Sequence, residues 1–301
     1  MTAPLASVSR ADNLRGAAFV IAAAAAFATT AALVKAAGDS GISAFQTAFV
    51  RAVIGLLVVG PLLYRRRIAP WRTRHLRLHM TRSVAGGGAI VIGFYAFTVI
   101  PLADATAIGF TAPLFVTVLA VFVLGEQVGW RRWAATAAGF IGVIIVVQPG
   151  GAGFDPIALI VLIQALLIAL SIVIVKRFPA RESQLSMMFF TFVSSGLFSA
   201  WFALAHWVMP TWHQAGLILG VAAAGIAAQA MVLRAYRLGE ASFIAPLSYV
   251  RLIFAGALGA IWFAELPDVW VWVGSAFIVL AALYTARREG SSAPRQESKE
   301  S

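Results

Sequence analysis

Apolar residues fill this chain in long blocks rather than in stripes. Ten blocks lie at about 14–36, 43–64, 79–99, 103–124, 132–148, 156–177, 184–207, 214–235, 241–263 and 268–286, separated by short polar gaps. A bilayer core needs about 20 apolar residues per helix. Each block therefore predicts one membrane-spanning helix, and the fold class is an all-α membrane protein of ten transmembrane helices.

The blocks fall into two sets of five. Ile100-Pro-Leu-Ala-Asp104-Ala-Thr106 and Tyr236-Arg-Leu-Gly-Glu240-Ala-Ser242 correspond at an offset of 136, as do Gly86-Gly-Gly88 and Ala222-Ala-Ala224. Val34-Lys35 matches Val175-Lys176 at 141, and Gly125-Glu126 matches Ala264-Glu265 at 139. An odd number of spans per repeat forces the halves into opposite orientations, an arrangement typical of transporters. The expected organisation is a tail at 1–13, repeats at 14–150 and 151–287, and a disordered tail at 288–301. Arg10 and Arg15 precede an Ala-rich stretch, as in a signal peptide. Leu14 to Val34 is too long for such an apolar region, so it is expected to be a retained first span.

Charge fixes the expected sidedness. With both termini cytoplasmic, the cytoplasmic segments hold 20 of the 23 Lys and Arg residues. Lys35 falls at an outer helix end, and Arg51 and Arg251 fall inside spans. Such asymmetry follows the positive-inside rule and predicts a multi-pass inner-membrane protein. Trp71, Trp130, Trp133, Trp207, Trp212, Trp262, Trp270 and Trp272 lie near predicted helix ends, where amphipathic rings prefer to sit; Trp201 does not.

Composition agrees: 61% of residues are hydrophobic and 12% charged, far from soluble norms. The net charge of +11 sits in short loops between spans and is not a nucleic-acid surface. No cysteine is present, which excludes disulfides, thiolate metal sites and cysteine nucleophiles.

The ordered motifs resemble the drug/metabolite transporter superfamily, and within it EamA-type proteins with two five-helix repeats. Arg51 in Phe49-Val-Arg-Ala-Val-Ile-Gly55 resembles the family's second-helix arginine. Pro101-Leu-Ala-Asp-Ala-Thr-Ala-Ile resembles the turn into the fourth helix. Leu124-Gly-Glu126 and Phe263-Ala-Glu265-Leu-Pro resemble its repeated Gly-Glu helix end, with Ala264 replacing glycine. Ala135, Gly142, Gly274 and Ala281 resemble the spaced small residues of the fifth and tenth helices. The resemblance implies a solute transporter without a cofactor; family members carry amino acids, nucleotide-like metabolites, vitamins and drugs, and one branch exports amino acids.

Arg251 is the sharpest candidate for substrate contact. It lies ten and twelve residues from the two ends of the predicted ninth span, on the order of 15 Å from the interface. An arginine at such depth faces the bundle interior or water. It either binds a substrate carboxylate or closes a gate, or else it satisfies carbonyls of a broken helix. Tyr249 and Ser248 lie beside it. Gln164 and Ser171 share a face of the sixth helix, and Thr30 is the repeat counterpart of Ser171. Tyr95, Thr111 and Gln229 complete the polar candidates; all of these could instead hydrogen-bond between helices. Arg51, about 10 Å in by the same rise, is read as a structural tie. Lys35 and Lys176 are read as snorkelling to the interface. Pro113 and Pro246 interrupt related spans and are candidate hinges, or static kinks. The glycine and alanine runs are close-packing surfaces.

All twelve acids fall in loops or at predicted helix ends. A mid-membrane proton relay is therefore disfavoured, and Glu126 and Glu265 remain as helix-end titrating groups. His75 and His79 have i, i+4 spacing but no nearby acid, so solvated or headgroup-facing histidines are expected and no metal site. Ser194 and Ser195 lack an activating histidine at matching depth, so an intramembrane enzyme is disfavoured. The expectation is alternating-access transport of a small organic solute: export of an amino acid, aromatic ones included, or uptake of a metabolite such as riboflavin or S-adenosylmethionine. The partners are that solute and the lipid bilayer.

Overall fold

The computed structural model describes residues 10–125, 129–149, 155–175, 177, 183–238 and 245–291, and among them every regular element is helical. The helices are α1 (Arg10–Asp39), α2 (Ala44–Arg65), α3 (Leu76–Val99), α4 (Leu102–Gly109), α5 (Ala112–Leu124), α6 (Trp130–Val147), α7 (Ile157–Val175), α8 (Gln184–Ala205), α9 (Trp212–Leu238), α10 (Arg251–Phe263) and α11 (Val269–Ser291). Six of them, together with the continuous stretch Leu102–Leu124 that contains α4 and α5, are long and apolar enough to cross a bilayer. Trp133–Val147, Leu247–Phe263 and Val269–Ala281 are shorter apolar spans, which brings the described spans to ten. Large apolar side chains such as Leu57, Phe122 and Ile144 point outward, as a lipid solvent requires.

Capping chemistry explains several boundaries. The Ser43 side chain accepts the Gln46 amide to start α2, and Ser183 accepts that of Ser186 to start α8. Gln46 is fully buried; its amide donates to the Val208 carbonyl (2.7 Å) and accepts from the Val208 amide (3.2 Å), tying α2 to the α8–α9 loop. Gly125 ends α5 at φ 70°, where glycine carries no steric penalty. Its repeat counterpart Ala264 ends α10 at φ 54° in the same left-handed region, and a Cβ there costs about 1–2 kcal/mol. Ala264→Gly should therefore raise the midpoint of thermal unfolding in detergent; an unchanged or lowered midpoint would remove the strain argument.

The fourth predicted span is not one helix. The chain breaks at Phe110–Thr111, and Pro113 sits in the first turn of α5, where its missing N–H is harmless. The ninth span is interrupted in the related place: Ala245–Val250 is a 3-10 segment that passes into α10 at Arg251. Arg251 is thus the first residue of an α-helix, not the middle of a continuous one. Residues 239–244, Glu126, Lys176 and the two chain ends, 1–9 and 292–301, lie outside the described residues. Helix α1 begins at Arg10 and α11 continues to Ser291, beyond the expected span ends.

Packing obeys an exchange symmetry between the halves. Helix α1 lies along α9 and α10; its counterpart α7 lies along α3 and α5. Helix α2 meets its own counterpart α8, and α6 meets α11. The halves therefore interleave, and neither half is a separate bundle. Small residues allow the closest approaches. A Cβ on Gly142 would stand 2.6 Å from the Gly274 carbonyl oxygen, and one on Gly87 2.7 Å from the Ser195 amide nitrogen.

Candidate functional site

A cavity of about 280 Å³ lies where α1, α2, α3, α4, α7, α9 and the start of α10 converge. Two arginines enter it. Arg51 of α2 stacks on Phe94 and Phe192, 5.5 and 5.6 Å from the ring centres. Its Nη1 is buried without a hydrogen-bond partner. A Cβ on Gly225 would come within 3.5 Å of Arg51 Nε, so the small residue on α9 makes room for the guanidinium. Arg251 stacks on Phe110 at 4.7 Å and on Phe27 at 5.9 Å. The ring of Tyr249 packs on Phe110 at 4.8 Å, so phenol, phenyl and guanidinium lie in sequence.

Among the described residues no carboxylate lines the cavity. Two guanidiniums sharing a low-dielectric space repel and lose hydration; stacking on aromatic faces returns part of that. An anionic group entering the cavity would remove the remaining imbalance and accept bidentate hydrogen bonds.

The other polar candidates divide. Thr30, Gln164 and Ser171 line the cavity. The Thr30 hydroxyl donates to the Ala26 carbonyl (2.8 Å), leaving its oxygen as an acceptor. Gln164 occupies space that only a glycine at 93 leaves open: a Cβ there would lie 2.3 Å from Gln164 Nε2. Ser248 is on the 3-10 segment beside Tyr249. Tyr249, Ser248, Tyr95, Thr111 and Gln229 are not in the lining. Tyr95 stacks with Phe45, Thr111 is fully buried at the α4–α5 break with an unpartnered hydroxyl, and Gln229 is exposed on α9. The aromatic lining, namely Phe27, Phe94 and Phe97, together with Thr106, escaped the sequence reading. In helices this apolar, phenylalanine gives no signal of which way it points.

Three positions differ from expectation. Arg51 reaches the cavity instead of a loop. Lys35 does not snorkel: it is 7% exposed and pairs with Glu265 at 2.5 Å, because a carboxylate from the other half reaches it inside the bundle. His79 is neither solvated nor headgroup-facing, being fully buried with its ring 5.0 Å from Phe190. Among the described residues no three His, Cys, Asp or Glu side chains cluster as metal ligands. A larger depression of about 480 Å³ between α6 and α11, walled by Trp130, Phe277, Tyr284 and alanines, lacks the convergent polar groups of a binding site.

Known proteins match along most of this length. An S-adenosylmethionine uptake transporter of Rickettsia prowazekii is 28% identical over 83% of this chain and 85% of its own. A riboflavin transporter of Rhizobium johnstonii is 31% identical over 76% of each chain. A pseudopaline exporter of Pseudomonas aeruginosa is 26% identical over 87% of this chain and 92% of its own. The model of the EamA-like transporter family matches twice, at residues 14–148 and 155–287. With one match on each half of the sequence repeat, the chain belongs to the EamA-like transporter family.

Proposed function

We propose that the protein is a secondary transporter of a small amino-acid-like metabolite bearing a carboxylate and a flat ring, moved by alternating access. The observation that carries this is the pairing of Arg51 and Arg251 in one cavity whose lining, among the described residues, has no acid. A carboxylate supplies the missing charge, and Phe27, Phe94 and Phe97 offer faces and edges for a ring. Aromatic amino acids fit this chemistry, and their export across an inner membrane is the first case to test. The arginine-rich loops then face the cytoplasm.

Resemblance to named relatives supports a second substrate set. S-adenosylmethionine offers a carboxylate and a flat base, but its sulfonium, added to the ammonium that every amino acid carries, would bring a net positive charge to two guanidiniums. Riboflavin offers a ring system and a neutral hydroxylated chain but no carboxylate, and would leave the arginines uncompensated.

Counterflow in proteoliposomes discriminates between these sets. Labelled aromatic and small neutral amino acids, S-adenosylmethionine and riboflavin are compared with and without a pH gradient. Saturable counterflow of a carboxylate-bearing, non-cationic solute is expected. It should ignore the gradient, because among the described residues no carboxylate or imidazole lines the cavity. Transport confined to riboflavin, or transport that follows the gradient, would overturn the proposal.

A further inference from the structure

Lys35 and Glu265 form a buried ion pair at the bundle end opposite the arginine-rich loops. Lys35 Nζ also donates to the Ile100 carbonyl (3.3 Å), and Glu265 Oε2 accepts from the Leu102 amide (3.1 Å). Between these two backbone groups lies Pro101, which has no N–H of its own. One ion pair therefore holds both polar backbone groups that flank the proline joining α3 to α4. Phe263 carries the lysine on its ring face, 5.6 Å away.

The partners come from distant helix ends. Lys35 lies near the end of α1 and Glu265 just past α10, and α1 packs on both α9 and α10. Ile100 and Leu102 bound α3 and α4; α3 packs on α7 and α8, and α4 packs on both α10 and α7. The next residues of α4, Ala105, Thr106 and Gly109, form a wall of the cavity. A tie at the head of α4 thus fixes a cavity wall to the ends of α1 and α10.

Charge adds an asymmetry. Asp104 on α4 lies within electrostatic range of Lys35, Glu265 and Asp268, and its Oδ1 is buried without a hydrogen-bond partner. At this seam between α4 and the end of α10, Asp104 thus shares its surroundings with two other carboxylates, Glu265 and Asp268, and one cation, Lys35. Without the lysine, like charges would push the seam apart.

We propose that Lys35 is the pin of a gate: paired with Glu265, it clamps the α3–α4 turn and closes the cavity toward the face opposite the arginine-rich loops. Opening to that face requires the clamp to release Ile100 and Leu102 together. The proposal rests on membership of a transporter family and not on the identity of the solute.

The test needs no substrate, so its outcome is separate from that of counterflow. The chain contains no cysteine, so Ala105→Cys introduces a single reporter in the cavity wall. Membrane vesicles of each orientation are treated with an impermeant maleimide. Slow labelling is expected in the otherwise native protein. Adding Lys35→Gln should speed labelling tenfold or more, from the face opposite the arginine-rich loops only. Adding Asp104→Asn to that variant should slow it again by relieving the repulsion, an effect that general loosening would not produce. A native labelling rate in folded Lys35→Gln protein, or equal acceleration from both faces, would overturn the proposal. Should Lys35→Gln fail to fold, Glu265→Gln carries the same test with a smaller acceleration, since glutamine can still accept from Leu102.

Discussion

Arg251→Ala should cut transport by about 25-fold or more while leaving a folded protein in detergent. Truncating one partner of a desolvated charge pair costs about 2–5 kcal/mol of binding, and each 1.4 kcal/mol is tenfold. Stability follows a different balance. The variant loses stacking on Phe110 and Phe27, worth about 0.5–2 kcal/mol. It also removes a cation whose insertion at mid-membrane costs about 2.5–3.5 kcal/mol. These terms offset, so folded yield should hold. Arg251→Lys keeps the charge without the planar fork and should recover part of the activity. Paired measurements of counterflow and of size-exclusion behaviour decide the matter. Parallel loss of both would make Arg251 a brace for the interrupted ninth span. By the same geometry Arg51→Ala should spare yield and lose transport, the reverse of the structural tie its sequence position suggests.

Gly142→Val should prevent the chain from accumulating as folded protein. The obstacle is backbone rather than side chain: the new Cβ would lie 2.6 Å from the Gly274 carbonyl oxygen and 2.7 Å from Phe277 Cβ. No rotamer relieves that contact, so α6 and α11 must separate. Overpacking of this kind costs about 3 kcal/mol or more, and the α6–α11 seam joins the two halves. Gly60→Ala provides the contrast, since nothing lies within 4 Å of its new Cβ. Detergent-solubilised yield and monodispersity of the two variants are the readout. A well-folded Gly142→Val protein would mean that the seam is not closely packed in solution.

Hydropathy and arginine placement made the ten spans legible, because bilayer thickness and membrane charge asymmetry act on every span alike. Pro113 pointed to a break in the fourth span, although only the structure shows two helices on either side of Phe110. The cavity was legible in part. Arg251, Gln164, Ser171 and Thr30 stood out as polar groups in apolar helices. The place of Arg51 in the cavity wall was not legible, because helix α2 is apolar on several sides and its rotation about its axis leaves no trace in the sequence. The Lys35–Glu265 pair escaped for another reason. Its members are 230 residues apart in the chain, and a contact between helix ends of different halves has no local period.

The interleaving of the halves bears on how the protein is made. When α1 and α2 leave the ribosome, their main partners α9 and α8 have not yet been synthesised. Each early helix must wait in lipid with its small-residue grooves unfilled. Assembly therefore completes only after the last helices insert, and the unfinished chain offers membrane proteases a target that the finished one conceals.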